Sequence, residues 1–181
     1  MKKLFYMLGV AAMVTLFSCN SSSEDSWDTY AQWREANKTW FAEQENLLDE
    51  DGNPFYEKVS GPWSPDEYVL MHWFNDREET AGNLQPLYTS VVGTRYIGRL
   101  YNDVAVDSSY LLNNAMLVAQ VGGLIDGWQI ALQNMHAGDS VQVVIPYKLA
   151  YDTRTDLAFP PYSALRFNMS IVDVVHYETK P

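Results

Sequence analysis

The apolar residues of this chain change period at residues 61–65. Ahead of Gly61-Pro62-Trp63-Ser64-Pro65 they recur at helical spacing, and beyond it they alternate. A helix-period pattern does not sit in a sheet, nor a strand pattern in a helix, so two kinds of structure must follow one another. From Asp28 onward, Tyr30, Trp33, Ala36, Trp40, Phe41, Leu47 and Leu48 predict one helix over about 28–48. Asp49-Glu50-Asp51-Gly52-Asn53-Pro54 then stops it, because Pro54 cannot continue a helix and Gly52 permits the turn. The acidic cluster lacks the Gly and Glu spacing of a calcium loop and reads as a solvated turn.

Beyond the boundary, Tyr68–Phe74 is dense in β-formers and ends at Asn75-Asp76. Over Tyr88–Leu100, Val92, Thr94, Tyr96 and Leu100 share one face while Arg95 and Arg99 take the other. Ile125, Trp128, Ala131, Leu132 and Met135 mark a short helix with one apolar stripe, closed by Gly138. Ser140–Ile145 and Leu165–Val174 alternate again. The expected fold class is α+β, with four or five antiparallel strands in a curved sheet wrapped over one short helix and a helical segment in front.

The first residues, MKKLFYMLGVAAMVTLFSC, place Lys2 and Lys3 before an apolar run from Leu4 to Phe17. That is the layout of a secretory signal, and the run is short of the roughly 20 residues a membrane-spanning helix needs. Leu16-Phe17-Ser18-Cys19 resembles the lipobox of bacterial lipoproteins, which implies lipidation of Cys19. A lone cysteine has no intramolecular disulfide partner, so the expectation is a protein anchored by acyl chains at the cell envelope, on the periplasmic side or the outer-membrane surface. Asn20–Ser26 suits a solvated tether. Without Lys2 and Lys3, 10 basic residues face 23 acidic ones, a net charge of −13. Such a surface repels phosphate backbones, so nucleic acid is not an expected partner.

The segments Arg95-Tyr96-Ile97-Gly98-Arg99-Leu100, Asp107-Ser108-Ser109, Leu124-Ile125-Asp126-Gly127-Trp128, Met135–Asp139, Ile145-Pro146, Ala150-Tyr151 and Phe159-Pro160-Pro161 follow one another in order. Together they resemble the FKBP-type peptidyl-prolyl cis-trans isomerases over about residues 66–177. The resemblance implies a shallow apolar pocket floored by Trp128 and walled by Leu124, Ile125, Val106, Met116, Phe159 and Phe167, with Asp107, Tyr96 and Tyr151 as the catalytic polar groups. A hydrogen bond from Tyr96 to Asp107 is expected, because a carboxylate flanked by Val104 and Val106 is costly to bury without a partner. It also implies proline-containing polypeptide clients among exported proteins and no cofactor. A module that grips peptide with little catalysis is the rival reading.

The sequence departs from the family at Val106, where Phe is usual, at Ala115 and Met116, where an aromatic is common, and at Asp152, which replaces a Gly. Fewer aromatics mean less contact area and weaker desolvation. The three histidines, His72, His136 and His176, show no metal-ligand spacing, and no metal is expected. Ser108 and Ser109 have no neighbouring His and read as turn residues. The expected division is a signal over 1–18, a tether over 19–27, a helical segment over 28–65 and an isomerase domain over 66–177. The helical segment could serve as a homodimerisation arm or pack on its own sheet, and exposure of Trp33 and Trp40 distinguishes the two.

Overall fold

The computed structural model describes residues 24–177. Cys19, the signal-like leader and the start of the tether lie outside the described residues. The helical expectation over 28–48 is corrected at both ends. A first helix, α1 (Glu24–Thr29), already takes up the end of the tether, and a second, α2 (Ala31–Glu45), stops before Asn46. Trp27 holds α1 in place: the Arg34 guanidinium lies 3.2 Å from its ring and the Tyr162 ring meets it edge-on at 5.5 Å. α2 ends early because Asp49 builds its own turn, its carboxylate accepting the N–H groups of Asp51 and Asn53 at 3.0 and 2.8 Å. Leu47 and Leu48 therefore leave the helix and stand exposed.

Seven strands form one antiparallel sheet: β1 (Glu57–Gly61), β2 (Ser64–Trp73), β3 (Val91–Leu100), β4 (Ala105–Ser108), β5 (Leu117–Gln120), β6 (Ser140–Ile145) and β7 (Leu165–His176). The order is β1-β2-β6-β7-β3-β4, with β5 also on β3. The sequence reading contained no β1, β4 or β5, since strands this short carry too few residues to display alternation. β1 also falls inside the segment read as helical. Gly61-Pro62-Trp63-Ser64-Pro65 is thus a hairpin connection between β1 and β2 inside the sheet.

The concave face packs on α3 (Asp126–Leu132), shorter than the 125–135 expected and buried on every side from Gly127 to Leu132. The expected single stripe is corrected for this reason: the sheet wraps around the helix and leaves it no solvent face. Gly127 permits the close approach, since a Cβ there would lie 2.4 Å from Ile145 Cγ2. Val69, Met71, Val143, Ile145 and Met169 complete this core. After α3 the chain turns at Asp139, whose buried carboxylate accepts hydrogen bonds from Thr80, Asn75 and the His136 N–H. Burial pushes its pKa up, but these donors outweigh burial and hold it below the ordinary Asp value.

On the convex face, Tyr56, Leu70 and Val144 are covered by Trp40, Phe41 and Tyr68. Further along α2, the Trp33 indole N–H donates to Ser163 Oγ at 3.0 Å, and Asn37 Oδ1 accepts the Ala164 N–H at 2.9 Å. Trp33 and Trp40 are both partly buried in these contacts. The helical segment packs on its own sheet.

Candidate active site

β3 holds the site together because its two edges differ. One edge pairs along its whole length with β7, from Val91↔His176 to Leu100↔Leu165. The other is shared, with Val91–Thr94 pairing with β5 and Ile97–Arg99 with β4. In the gap between β4 and β5, Ser109 Oγ accepts the Tyr96 N–H at 3.0 Å and Ser108 Oγ donates to the Tyr96 carbonyl at 3.3 Å. The two serines thus replace the missing ladder bonds, where the sequence reading expected only turn residues.

Above this gap opens a cleft of about 260 Å³. Trp128 forms its floor, with only 4% of its surface exposed. The indole meets the Tyr96 ring at 4.8 Å and the Phe167 ring at 5.2 Å, both near perpendicular, and Tyr96 and Phe167 lie 6.0 Å apart at 63° to each other. Gly98 makes room for this cluster, because a Cβ there would sit 2.6 Å from Phe167 Cε1. Leu124, Ile125 and Tyr151 close the walls.

The polar groups lie around that apolar floor. Tyr96 Oη donates to Asp107 Oδ2 at 2.7 Å, the contact the sequence anticipates, while Asp107 Oδ1 accepts the Ser108 N–H. Asp107 itself is exposed, not buried, which corrects the expectation of a sequestered carboxylate. It stands on short β4 at the sheet edge, where water reaches it from one side. Burial, followed by the hydrogen bond from Tyr96 to the Asp107 charge, pushes the Tyr96 phenol well above its ordinary pKa. Burial also raises Tyr151, and the Asp107 charge adds to this while Arg154 works against it. Both phenols therefore stay protonated at neutral pH. Among the described residues, the Tyr151 hydroxyl and the Ile125 N–H have no hydrogen-bond partner, so both donors are available to a ligand.

Three expected wall residues are placed elsewhere. Met116 lies over Gly93, where a Cβ would come within 2.8 Å of its sulfur, and Gly93 faces away from Tyr96 on β3. Leu117 lines the cleft instead, paired with inward-facing Thr94. A slip of one residue in a strand exchanges its faces, and pairing with Thr94 decides which one points in. Val106 sits at the β4 register shift and packs into the core beside the cleft. Phe159 backs Tyr151 edge-on at 5.7 Å without lining the cleft. Sequence reasoning missed Leu117, Gly123 and Arg154 as lining residues. Arg154 forms a fork with Asp156 at 3.0 and 2.8 Å, with no sequence signal beyond its place two residues after Asp152. Asp152 adopts φ 49°, the left-handed conformation that the family's Gly allows freely, so the loop keeps its shape despite the departure.

Residues 82–172 match the family described as FKBP-type peptidyl-prolyl cis-trans isomerase, half of the chain. The chain belongs to that family. The FKBP-type isomerase FkpA of Escherichia coli is 33% identical over 89 residues, which is 49% of this chain and 33% of that protein. FK506-binding protein 3 of Yarrowia lipolytica is 32% identical over 85 residues, covering 47% of this chain and 21% of that protein. The match thus spans a third or less of these curated relatives. A crystal structure of a peptidyl-prolyl cis-trans isomerase from Pseudomonas syringae superposes with a TM-score of 0.63 at 24% identity, over 81% of this chain and 96% of that one. The E. coli FkpA crystal structure gives 0.57 at 23% identity, over 83% and 61%. These likenesses establish the FKBP fold, including its antiparallel sheet and short central helix.

Proposed function

We propose that this FKBP chain catalyses cis-trans isomerisation of X-Pro bonds in exported polypeptides at the cell envelope, held there by lipid on Cys19. The observation that carries the catalytic reading is an open cleft with an indole floor and unspent donors at its rim. Rotation about a prolyl bond is opposed by a barrier of about 18–20 kcal/mol from amide resonance, and no covalent bond breaks. A ring of Trp128, Tyr96 and Phe167 excludes water from the imide carbonyl and so disfavours the charge-separated resonance form. In this reading the Ile125 N–H and the Tyr151 hydroxyl hold flanking carbonyls, and Asp107, bonded to Tyr96, faces the twisting group. No nucleophile, metal or cofactor enters this chemistry.

The rival, a peptide-gripping module with little catalysis, draws on one observation. Val106, Met116 and Phe159 contribute nothing to the lining, so the walls around the indole are partly aliphatic. A protease-coupled assay on a short proline peptide separates the two, and equal rates with and without the protein exclude the enzyme. In the same assay Trp128→Ala is expected to lower kcat/KM by about tenfold or more, and Asp107→Ala to lower it less. Because both phenols titrate above their ordinary value near 10, kcat/KM should stay level as pH rises from neutrality to about 9. For the anchor, Cys19→Ala should move the protein from the detergent-rich to the aqueous phase on partitioning. The envelope reading rests on the leader and Cys19 alone.

A further inference from the structure

From Ser108 through Ile125 the chain carries no Asp, Glu, Lys, Arg or His, although 19% of its residues are charged. This uncharged run is continuous with the cleft, since Asp107 precedes it and Leu117, Leu124 and Ile125 within it line the cavity. Between them the loop over 109–116 projects outward, with Tyr110 58%, Leu111 86% and Leu112 44% exposed. Three consecutive large apolar side chains at a tip are an unfavourable surface unless something covers them.

The tip is built, not frayed. Ser108 Oγ accepts the Tyr110 N–H, Ser109 Oγ reaches the Ala115 carbonyl at 3.2 Å, and the Leu112 N–H returns to the Ser109 carbonyl at 2.9 Å. Asn114 and Ala115 both hold positive φ, at 63° and 52°, so the chain accepts strain to keep this shape. Ser109 is wholly buried and is tied to Tyr96, the residue that orients Asp107. The apolar tip and the cleft therefore share one rigid base.

We propose that Tyr110, Leu111 and Leu112 form an accessory binding surface for the same polypeptide whose proline occupies the cleft, gripping an apolar stretch several residues away. The occupant is an unfolded or partly folded chain. An apolar tip in a strongly acidic protein, with Arg95 as a neighbour of Tyr110, selects for exposed hydrophobic segments, which folded proteins conceal. A substrate that reaches both places gains a second contact, so the surface adds affinity for long substrates, through KM.

This inference deepens the isomerase reading and is tested apart from it. The triple variant Tyr110→Ser, Leu111→Ser, Leu112→Ser changes exposed positions outside the cleft. Binding of a reduced, carbamidomethylated, permanently unfolded protein is expected to weaken about tenfold or more in that variant. On a protein whose refolding is limited by proline isomerisation, KM should rise with kcat little changed, while tetrapeptide kcat/KM stays within about twofold. Unaltered binding of the unfolded protein overturns the proposal, whatever the catalytic result. So does concentration-dependent self-association that the triple variant abolishes without changing that binding, because the tip would then serve a second copy of this chain. Absence of tetrapeptide catalysis in the unsubstituted protein would instead defeat the isomerase reading and leave the binding measurement decisive for the tip.

Discussion

The two faces of the sheet are covered by helices in different ways. On the concave face α3 is enclosed, and its contacts with β2, β6 and β7 are almost wholly apolar. On the convex face α2 lies on the surface and is held by aromatic edges and single hydrogen bonds: Trp33 to Ser163, Asn37 to Ala164, Tyr68 to Glu45. Burial without directional bonds tolerates no missing volume, whereas a docked helix depends on a few specific pairs. The concave interface therefore makes both the fold and the cleft floor, and the convex one adds stability without touching the residues that line the cleft.

Leu132→Ala tests the enclosed side most severely. It removes a fully buried side chain and should cost about 2–5 kcal/mol, read as a lower urea midpoint, with loss of activity as the α3 floor loosens. Asn37→Ala attacks the docked side where it is most buried, stranding the Ala164 N–H, and should cost about 1–3 kcal/mol in the same titration. Tetrapeptide turnover per folded molecule should be unchanged, and a parallel loss of kcat would break the division between the two faces. Trp33→Phe keeps a ring against Tyr101 but loses the bond to Ser163, with an expected penalty of about 1 kcal/mol, a fall of a few degrees in Tm. Glu45→Gln removes the half-exposed charge pair with Lys58 while leaving an amide oxygen to accept from Tyr68, and should give the smallest change, one that high salt reproduces in the unsubstituted protein.

Proton linkage touches both faces, since burial raises the Tyr56 phenol on the convex side as well as Tyr96 in the cleft. Asp139 has a folded pKa below its ordinary value, so its stabilisation is complete above that value and is lost as pH falls through the lowered one. Tyr96 has a raised folded pKa, so its stabilisation is complete below about 10 and fades as pH climbs beyond. Asp139→Asn should flatten the acid limb of a stability-versus-pH curve and leave the alkaline limb in place.

Much of the site was legible because its chemistry is carried by residue types whose order survives in the chain. Tyr96, Asp107, Ile125, Trp128, Tyr151 and Phe167 stand in motifs separated by recognisable turns, and the alternation of Val92, Thr94 and Tyr96 shows which way Tyr96 points. Met116 against Leu117 was not legible, because in a four-residue strand either parity satisfies the pattern and only pairing with Thr94 selects one. The exposure of Asp107 was equally hidden, for it depends on β4 lying at the edge of the sheet.

The amino-acid order by itself determined the two periods, the long strands β2, β3, β6 and β7, the central helix and the aromatic set around Trp128, since these follow from local spacing and from which side chains leave water. The tertiary structure decided where α2 docks, which face of β5 enters the cleft, how two serines bridge the split edge of β3, and that Tyr110, Leu111 and Leu112 stand uncovered beside the site. Those outcomes rest on contacts between segments far apart in the chain, whose energies no local pattern encodes.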